Sequence, residues 1–192
     1  MKVIAVAIAT LLLMPVFAIA AMGQTFAVPE QDVSVNSRSL VEPIRGVEGD
    51  FVGRVLGHPR IHLTAGARHD VEAGRADPRI LEILLALAEL HELGRVGPIA
   101  TGHSYFVKGT TRVSNHVSGR AVDISVIDGA PVSLSNGGAY RAAQTIASLA
   151  PPFRPDELGA PWRIAASGVY SLTENHSDHL HAGFDSPAKG DD

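Results

Sequence analysis

Two short stretches concentrate side chains able to bind a metal or move a proton. The first is Ser114-Asn115-His116-Val117-Ser118-Gly119-Arg120-Ala121-Val122-Asp123. The second is Asp178-His179-Leu180-His181-Ala182-Gly183-Phe184. His116 closes a loop, Gly119 permits a tight turn, and Asp123 projects from an alternating, strand-like segment. A turn between them lets the imidazole and the carboxylate meet. In an extended strand His179 and His181 share one face, about 7 Å apart, while Leu180, Ala182 and Phe184 take the other. Imidazole and carboxylate suit Zn²⁺, and a catalytic zinc site keeps three protein ligands with one position open. Each cluster sits on a strand whose opposite face is apolar, and the two together point to a metal. His62, His69 and His91 lack such company and are read as ordinary surface or core residues.

Composition narrows the chemistry further. The 192-residue chain contains no cysteine, which excludes disulfides, a Cys nucleophile and thiolate-bound zinc or iron. Metal binding must therefore use His and carboxylate. The net charge of −4 lacks the basic excess of a nucleic-acid binder, so no nucleic-acid partner is expected. No G-x-S-x-G is present. The single S-x-x-K, Ser186 to Lys189, lies in the terminal tail with Pro187 inside it, so a serine hydrolase is not expected.

Residues 1–22 place Lys2 before an apolar run, and Ala18-Ile19-Ala20 has the small-x-small form of a signal-peptidase site. The segment reads as a signal peptide or, being about 20 apolar residues long, as a retained membrane anchor. Either places the remainder outside the cytoplasm, secreted or in the cell envelope, with membrane contact only through that segment. Residues 23–57 carry Gly, Pro, Ser and scattered charges without a period and read as a linker or extended arm. A domain over 58–186 and a tail over 187–192 complete the chain, which is expected to be a monomer.

Within that domain, Arg60 to Leu63 reads as a short strand running into a helix capped by Thr64. Asp77-Pro78 opens the strongest helix, carried by Ile80, Ile83, Leu84, Leu87 and Leu90 and closed by Gly94. Pro98 to Thr101 reads as a strand, 102–119 as a loop, and 121–127 as an alternating strand turned by Asp128-Gly129. Asn136 caps a helix over about 138–149, stopped by Pro151-Pro152, and Arg163 to Ala166 and His179 to Phe184 read as strands. Mixed elements without βαβ alternation predict an α+β fold with an antiparallel sheet.

The pattern Ser-x-His-x-x-Gly-x-Ala-x-Asp, filled by Ser114, His116, Gly119, Ala121 and Asp123, precedes an acidic-x-x-His filled by Asp178 and His181. It resembles the signature of the zinc D-Ala-D-Ala carboxypeptidases and related peptidoglycan peptidases, whose fold is shared with lysostaphin-type enzymes and the hedgehog signalling domain. The resemblance spans residues 60–184 and implies a small antiparallel sheet flanked by helices and carrying the zinc site. It makes His116, Asp123 and His181 the Zn²⁺ ligands. It puts Asp178 where the family has its general base, although a regular strand turns Asp178 away from His181. The H-x-H pair is similar to the lysostaphin branch, whose first His assists catalysis, so His179 is the alternative base. Glu174 and His176 are close enough in sequence to assist. Family members often grip the substrate carboxylate with an Arg before the first motif. Here the comparable stretch, Thr101 to Tyr105, has none. Arg112 and Arg120 flank His116 and can substitute, with Lys108 a further choice; Ser114 and His103 are expected along the cleft. The implied activity is hydrolysis of amide bonds in peptidoglycan peptides by metal-activated water, as carboxypeptidase or endopeptidase. The alternative is an exported, zinc-stabilised binding domain of the same fold without hydrolysis.

Overall fold

The computed structural model describes residues 50–186. The expected export segment, most of the expected arm and the expected tail lie outside the described residues.

Asp50 caps α1 (Phe51–Gly57), its carboxylate accepting from Gly53 N at 2.7 Å. Val55 is fully buried, and the helix packs on the long helix that follows. The last part of the expected arm, Phe51–Gly57, is therefore helical. Thr64 caps α2 (Ala65–Glu72), directly after β1 (Ile61–Leu63). Asp77 caps α3 (Pro78–Ala88) with Pro78 in the first turn, as the sequence signal requires. Ile80, Leu81, Ile83, Leu84, Leu85, Leu87 and Ala88 are all buried, so α3 is enclosed by its neighbours on most sides.

The end of α3 differs from the expectation. The helix stops at Ala88, the Leu90 side chain is half exposed, and Leu93–Val96 form β2 instead of a helical last turn. The periodicity carried past the true end because Leu93 is buried in the sheet rather than on the helix face. Gly94 serves strand contact, not a helix cap: a Cβ there would stand 2.6 Å from Val126 Cγ1 on the neighbouring strand.

Pro98 to Thr101 is not a strand. The buried Asp70 carboxylate takes the N–H groups of Ala100 and Thr101 at 2.8 and 2.7 Å, withdrawing them from any ladder. The segment still brackets Asp123, through Gly97 N to Asp123 O at 2.7 Å and Asp123 N to Pro98 O at 3.1 Å. A 3-10 turn (Asn115–Ser118) then leads into β3 (Ala121–Ile127). Asp128 and Gly129, with φ of 54° and 74°, reverse the chain into β4 (Ala130–Pro131). Asn136 caps α4 (Gly137–Ser148).

The second half adds β5 (Glu157–Gly159), β6 (Tyr170–Leu172) and β7 (Leu180–Gly183). Arg163 to Ala166 is not among the strands; β5 and β6 stand to either side of it in sequence. Its Ile164 N–H goes to Ser171 Oγ at 2.9 Å instead of to a strand. The sheet runs β1-β2-β3-β7-β5-β6, with β4 on β3. Its centre is antiparallel, but β1/β2 and β5/β6 are parallel pairs. The architecture is α+β as expected, and the sheet is mixed rather than antiparallel throughout.

Candidate metal centre

The site is built across β3 and β7. Their register pairs Asp123 with His181, and both side chains emerge on the same face. The opposite face carries Val122, Ile124, Leu180 and Ala182 into the core. His116 joins from the 3-10 turn. That turn is capped by Ser114 and closed by Gly119 at φ 68°, where a Cβ would strike the Arg75 carbonyl. Only glycine fits so close to that backbone in the left-handed region.

Three donor atoms converge. His116 Nε2 lies 3.3 Å from Asp123 Oδ1 and 3.3 Å from His181 Nδ1, and His181 Nδ1 lies 2.9 Å from Asp123 Oδ1. Ligands about 2.0–2.1 Å from a tetrahedral zinc stand about 3.3 Å from one another, so this triangle has the dimensions of one face of such a site. The remaining ring nitrogens are engaged outward. His116 Nδ1 donates to the Ile99 carbonyl at 2.7 Å, and His181 Nε2 faces Glu157 Oε1 at 3.2 Å. Metal-binding histidines carry this kind of outer acceptor, which fixes the tautomer.

The electrostatics follow from crowding two histidines and a carboxylate. Burial alone would raise the Asp123 pKa, but its close contacts with the His116 and His181 rings outweigh it and hold the carboxyl far below its ordinary range. Burial alone would lower the His181 pKa; its bonds to Asp123 and Glu157 reverse this and push it up to about 9. Glu157, only 6 % exposed, is held at about 2 because His181 and Arg112 overcome the effect of burial.

The other expected residues divide. His103 stacks on His116 with ring centroids 3.9 Å apart. One donor atom each of His103, His116 and Asp123 fall within 4.8 Å of one another, so these three could also hold an ion. The His116–Asp123–His181 triangle is tighter, and both of its histidines have outer acceptors. His103 is the exposed member, its Nδ1 turned to the Ser104 carbonyl at 2.9 Å. Partial burial and the nearby charge of His116 lower its pKa.

Asp178 does not reach the three donors. It is 83 % exposed and bonds His179 Nδ1 at 2.8 Å. His179 Nε2 instead faces inward, 3.8 Å from Asp123 Oδ1. His176 sits beside both, with ring centroids 4.9 Å from His179 and 5.5 Å from His181. Burial, then the charge of His181, lowers the His176 pKa. Its ring lies against Gly159, where a Cβ would overlap it. Glu174 contributes only its carbonyl, to His176 Nδ1 at 2.6 Å.

Two of the three expected substrate cations are engaged within the fold. Arg112 pairs with Glu157 at 3.0 Å and with Asp185 at 3.6 Å. Arg120 Nε donates to the Phe184 carbonyl at 3.2 Å, bracing β3 against the end of β7. Ser114 is buried and accepts from His116 N at 3.3 Å, a capping role. Lys108 is exposed on the loop before the site. Sequence reasoning missed Glu157, which no local pattern marks; only the β5–β7 pairing brings it to His181.

Comparison with protein-family models, with curated proteins and with solved structures found no match. Among the described residues no helix is long and apolar enough to cross a membrane.

Proposed function

We propose that the chain is an exported zinc-dependent peptidase acting on the peptides of peptidoglycan. The observation that carries the reading is the triangle of His116 Nε2, Asp123 Oδ1 and His181 Nδ1, with the second nitrogen of each histidine held by an outer acceptor. The resemblance of the two motifs to zinc peptidoglycan peptidases supplies the substrate class, and the N-terminal apolar segment supplies the location. His116, Asp123 and His181 would hold the ion, with His103 near enough to approach it. When bound, zinc supplies Lewis acidity for amide hydrolysis.

The chain's own residues handle the proton. With Nδ1 bonded to Asp178, His179 presents the lone pair of Nε2 to the centre. Nε2 is the atom that takes a proton from the attacking water and returns it to the leaving amine. Asp178 acts through His179: it fixes the tautomer and stabilises the imidazolium that forms. The arrangement favours His179 over Asp178 as the base. Arg112 and Arg120 are both engaged within the fold, which leaves Lys108 as the remaining expected cation for a carboxylate grip and favours an endopeptidase over a carboxypeptidase.

The test is elemental analysis of the purified protein, followed by digestion of peptidoglycan with and without chelator. About one zinc per chain and a chelator-sensitive release of cleaved peptides are expected. Zinc without any cleavage would favour the binding-domain alternative, and no metal after zinc is added back would remove the peptidase reading.

A further inference from the structure

Glu157 is buried on β5, opposite Gly183 of β7, while His181 stands opposite Gly159. Each large side chain therefore faces a glycine, and Glu157 and His181 lean toward each other along the diagonal. A Cβ on Gly183 would stand 2.9 Å from Glu157 Oε1 and 3.0 Å from His181 Nε2. The missing side chain is the space through which the 3.2 Å contact between those atoms passes. Glu157 is itself held from two directions. Asn115 Nδ2, one residue before His116, donates to Oε1 at 2.9 Å. Arg112 Nη2 donates to Oε2 at 3.0 Å.

We propose that Glu157 is a positioning residue of the metal centre. With an ion bound, it would keep the His181 proton on Nε2 and leave the Nδ1 lone pair, on the side of Asp123 and His116, for the ion. Arg112 and Asn115 fix Glu157 in turn. The loop before the 3-10 turn, which carries Arg112 and bridges Phe106 to Val113, is thereby tied to the ligand set. Arg112 on this view serves the ligands rather than a substrate carboxylate. The proposal rests on the metal reading above and gives a role to a residue that neither motif contains.

Two measurements test it. In the zinc-loaded wild-type protein, ¹⁵N-resolved NMR of the imidazoles should find His181 protonated on Nε2 and His116 on Nδ1. His181 protonated on Nδ1 would overturn the proposal with no variant needed. Zinc affinity is then measured by competition with a chromophoric chelator for Glu157→Gln, Gly183→Ala and Arg112→Ala, each checked for fold by circular dichroism. Loss of an outer partner of a ligating histidine weakens binding about 10–100-fold. Glu157→Gln, which keeps shape but loses charge, and Gly183→Ala, which keeps charge but fills the gap, should both fall in that range. Arg112→Ala should fall less. Glu157→Gln and Gly183→Ala binding zinc within about twofold of wild type, far inside the span just given, would overturn the proposal. A wild-type protein that takes up no zinc would instead overturn the metal reading, a distinguishable result.

Discussion

Replacing His179 and Asp178 separately distinguishes the residue that carries the proton from the one that orients it. His179→Ala removes the only one of the two side chains that faces Asp123, at 3.8 Å. A positioned general base is worth about 10²–10⁴ in rate. That range is about 3–5 kcal/mol of barrier, at about 1.4 kcal/mol per tenfold. Asp178→Asn acts at a distance. Its bond to His179 is short, 2.8 Å, but the carboxylate is 83 % exposed. An ion pair so open to solvent is worth about 0.2–1 kcal/mol. That corresponds to a loss of only about 1.4- to fivefold. The assay is the initial rate of cross-link or stem-peptide hydrolysis in purified peptidoglycan, with zinc content measured on the same samples. His179→Ala should keep its zinc and lose two or more orders of magnitude in rate, about the span given for a base, while Asp178→Asn stays near wild type. Should Asp178→Asn be as inactive as His179→Ala with zinc intact, the reasoning from exposure fails and Asp178 is essential to the proton transfer.

His116→Ala, Asp123→Ala and His181→Ala should each lose stoichiometric zinc by elemental analysis, whereas His103→Ala should retain it. Retention in His181→Ala with loss in His103→Ala would place the ion among His103, His116 and Asp123 instead. In metal-free protein the His181 pKa is raised from 6.5 to about 9, so its stabilisation is complete below about 6.5 and disappears as pH rises through 9. Glu157 is lowered from 4.5 to about 2, so its contribution is present above about 4.5 and is lost on acidification toward 2. Urea unfolding of metal-free protein should therefore show a fall of about 3 kcal/mol as pH rises from about 6.5 toward 10. A flat profile from pH 6 to 10 would contradict the assigned pairing of His181. Asp70→Ala leaves the Ala100 and Thr101 N–H groups without their buried acceptor and should cost about 2–4 kcal/mol in urea unfolding. It should also weaken zinc binding, because Ile99, whose carbonyl orients His116, lies in the released segment.

What could be read from the sequence was what lies close together along it. Thr64, Asp77 and Asn136 each announce a helix by a side-chain oxygen placed before the first turn, and each caps one. Val122 and Ile124 alternate with Ala121 and Asp123, and that strand is where it was expected. Failures came where long-range contact decided. Leu93 fits a helical period as well as a strand, and only the approach of Val126 explains why Gly94 belongs to the sheet. Glu157-Leu158-Gly159 has little intrinsic strand preference and is ordered by lying between β7 and β6. The site divides similarly. His116, Asp123 and His181, the ligands that the resemblance of the two motifs implies, meet in space. The inward turn of His179, the outward turn of Asp178 and the engagement of Arg112 with Glu157 depend on side-chain directions that spacing does not record.

The pairing of Asp123 with His181 across β3 and β7 also bears on how the chain reaches its folded state. These two residues are 58 positions apart, and His116 and His181 are 65 apart. A loop of that length must close before the three donors can meet, and contacts of such separation form late and slowly. An ion held by these three side chains could therefore not act as an early nucleus; it would bind tightly only after the central strands have zipped. A slip of one residue between β3 and β7 would turn His181 to the apolar side and dissolve the triangle. Metal uptake would thus double as a check on register: only a correctly paired chain could be locked, and a mispaired one would stay open to rearrangement or to degradation.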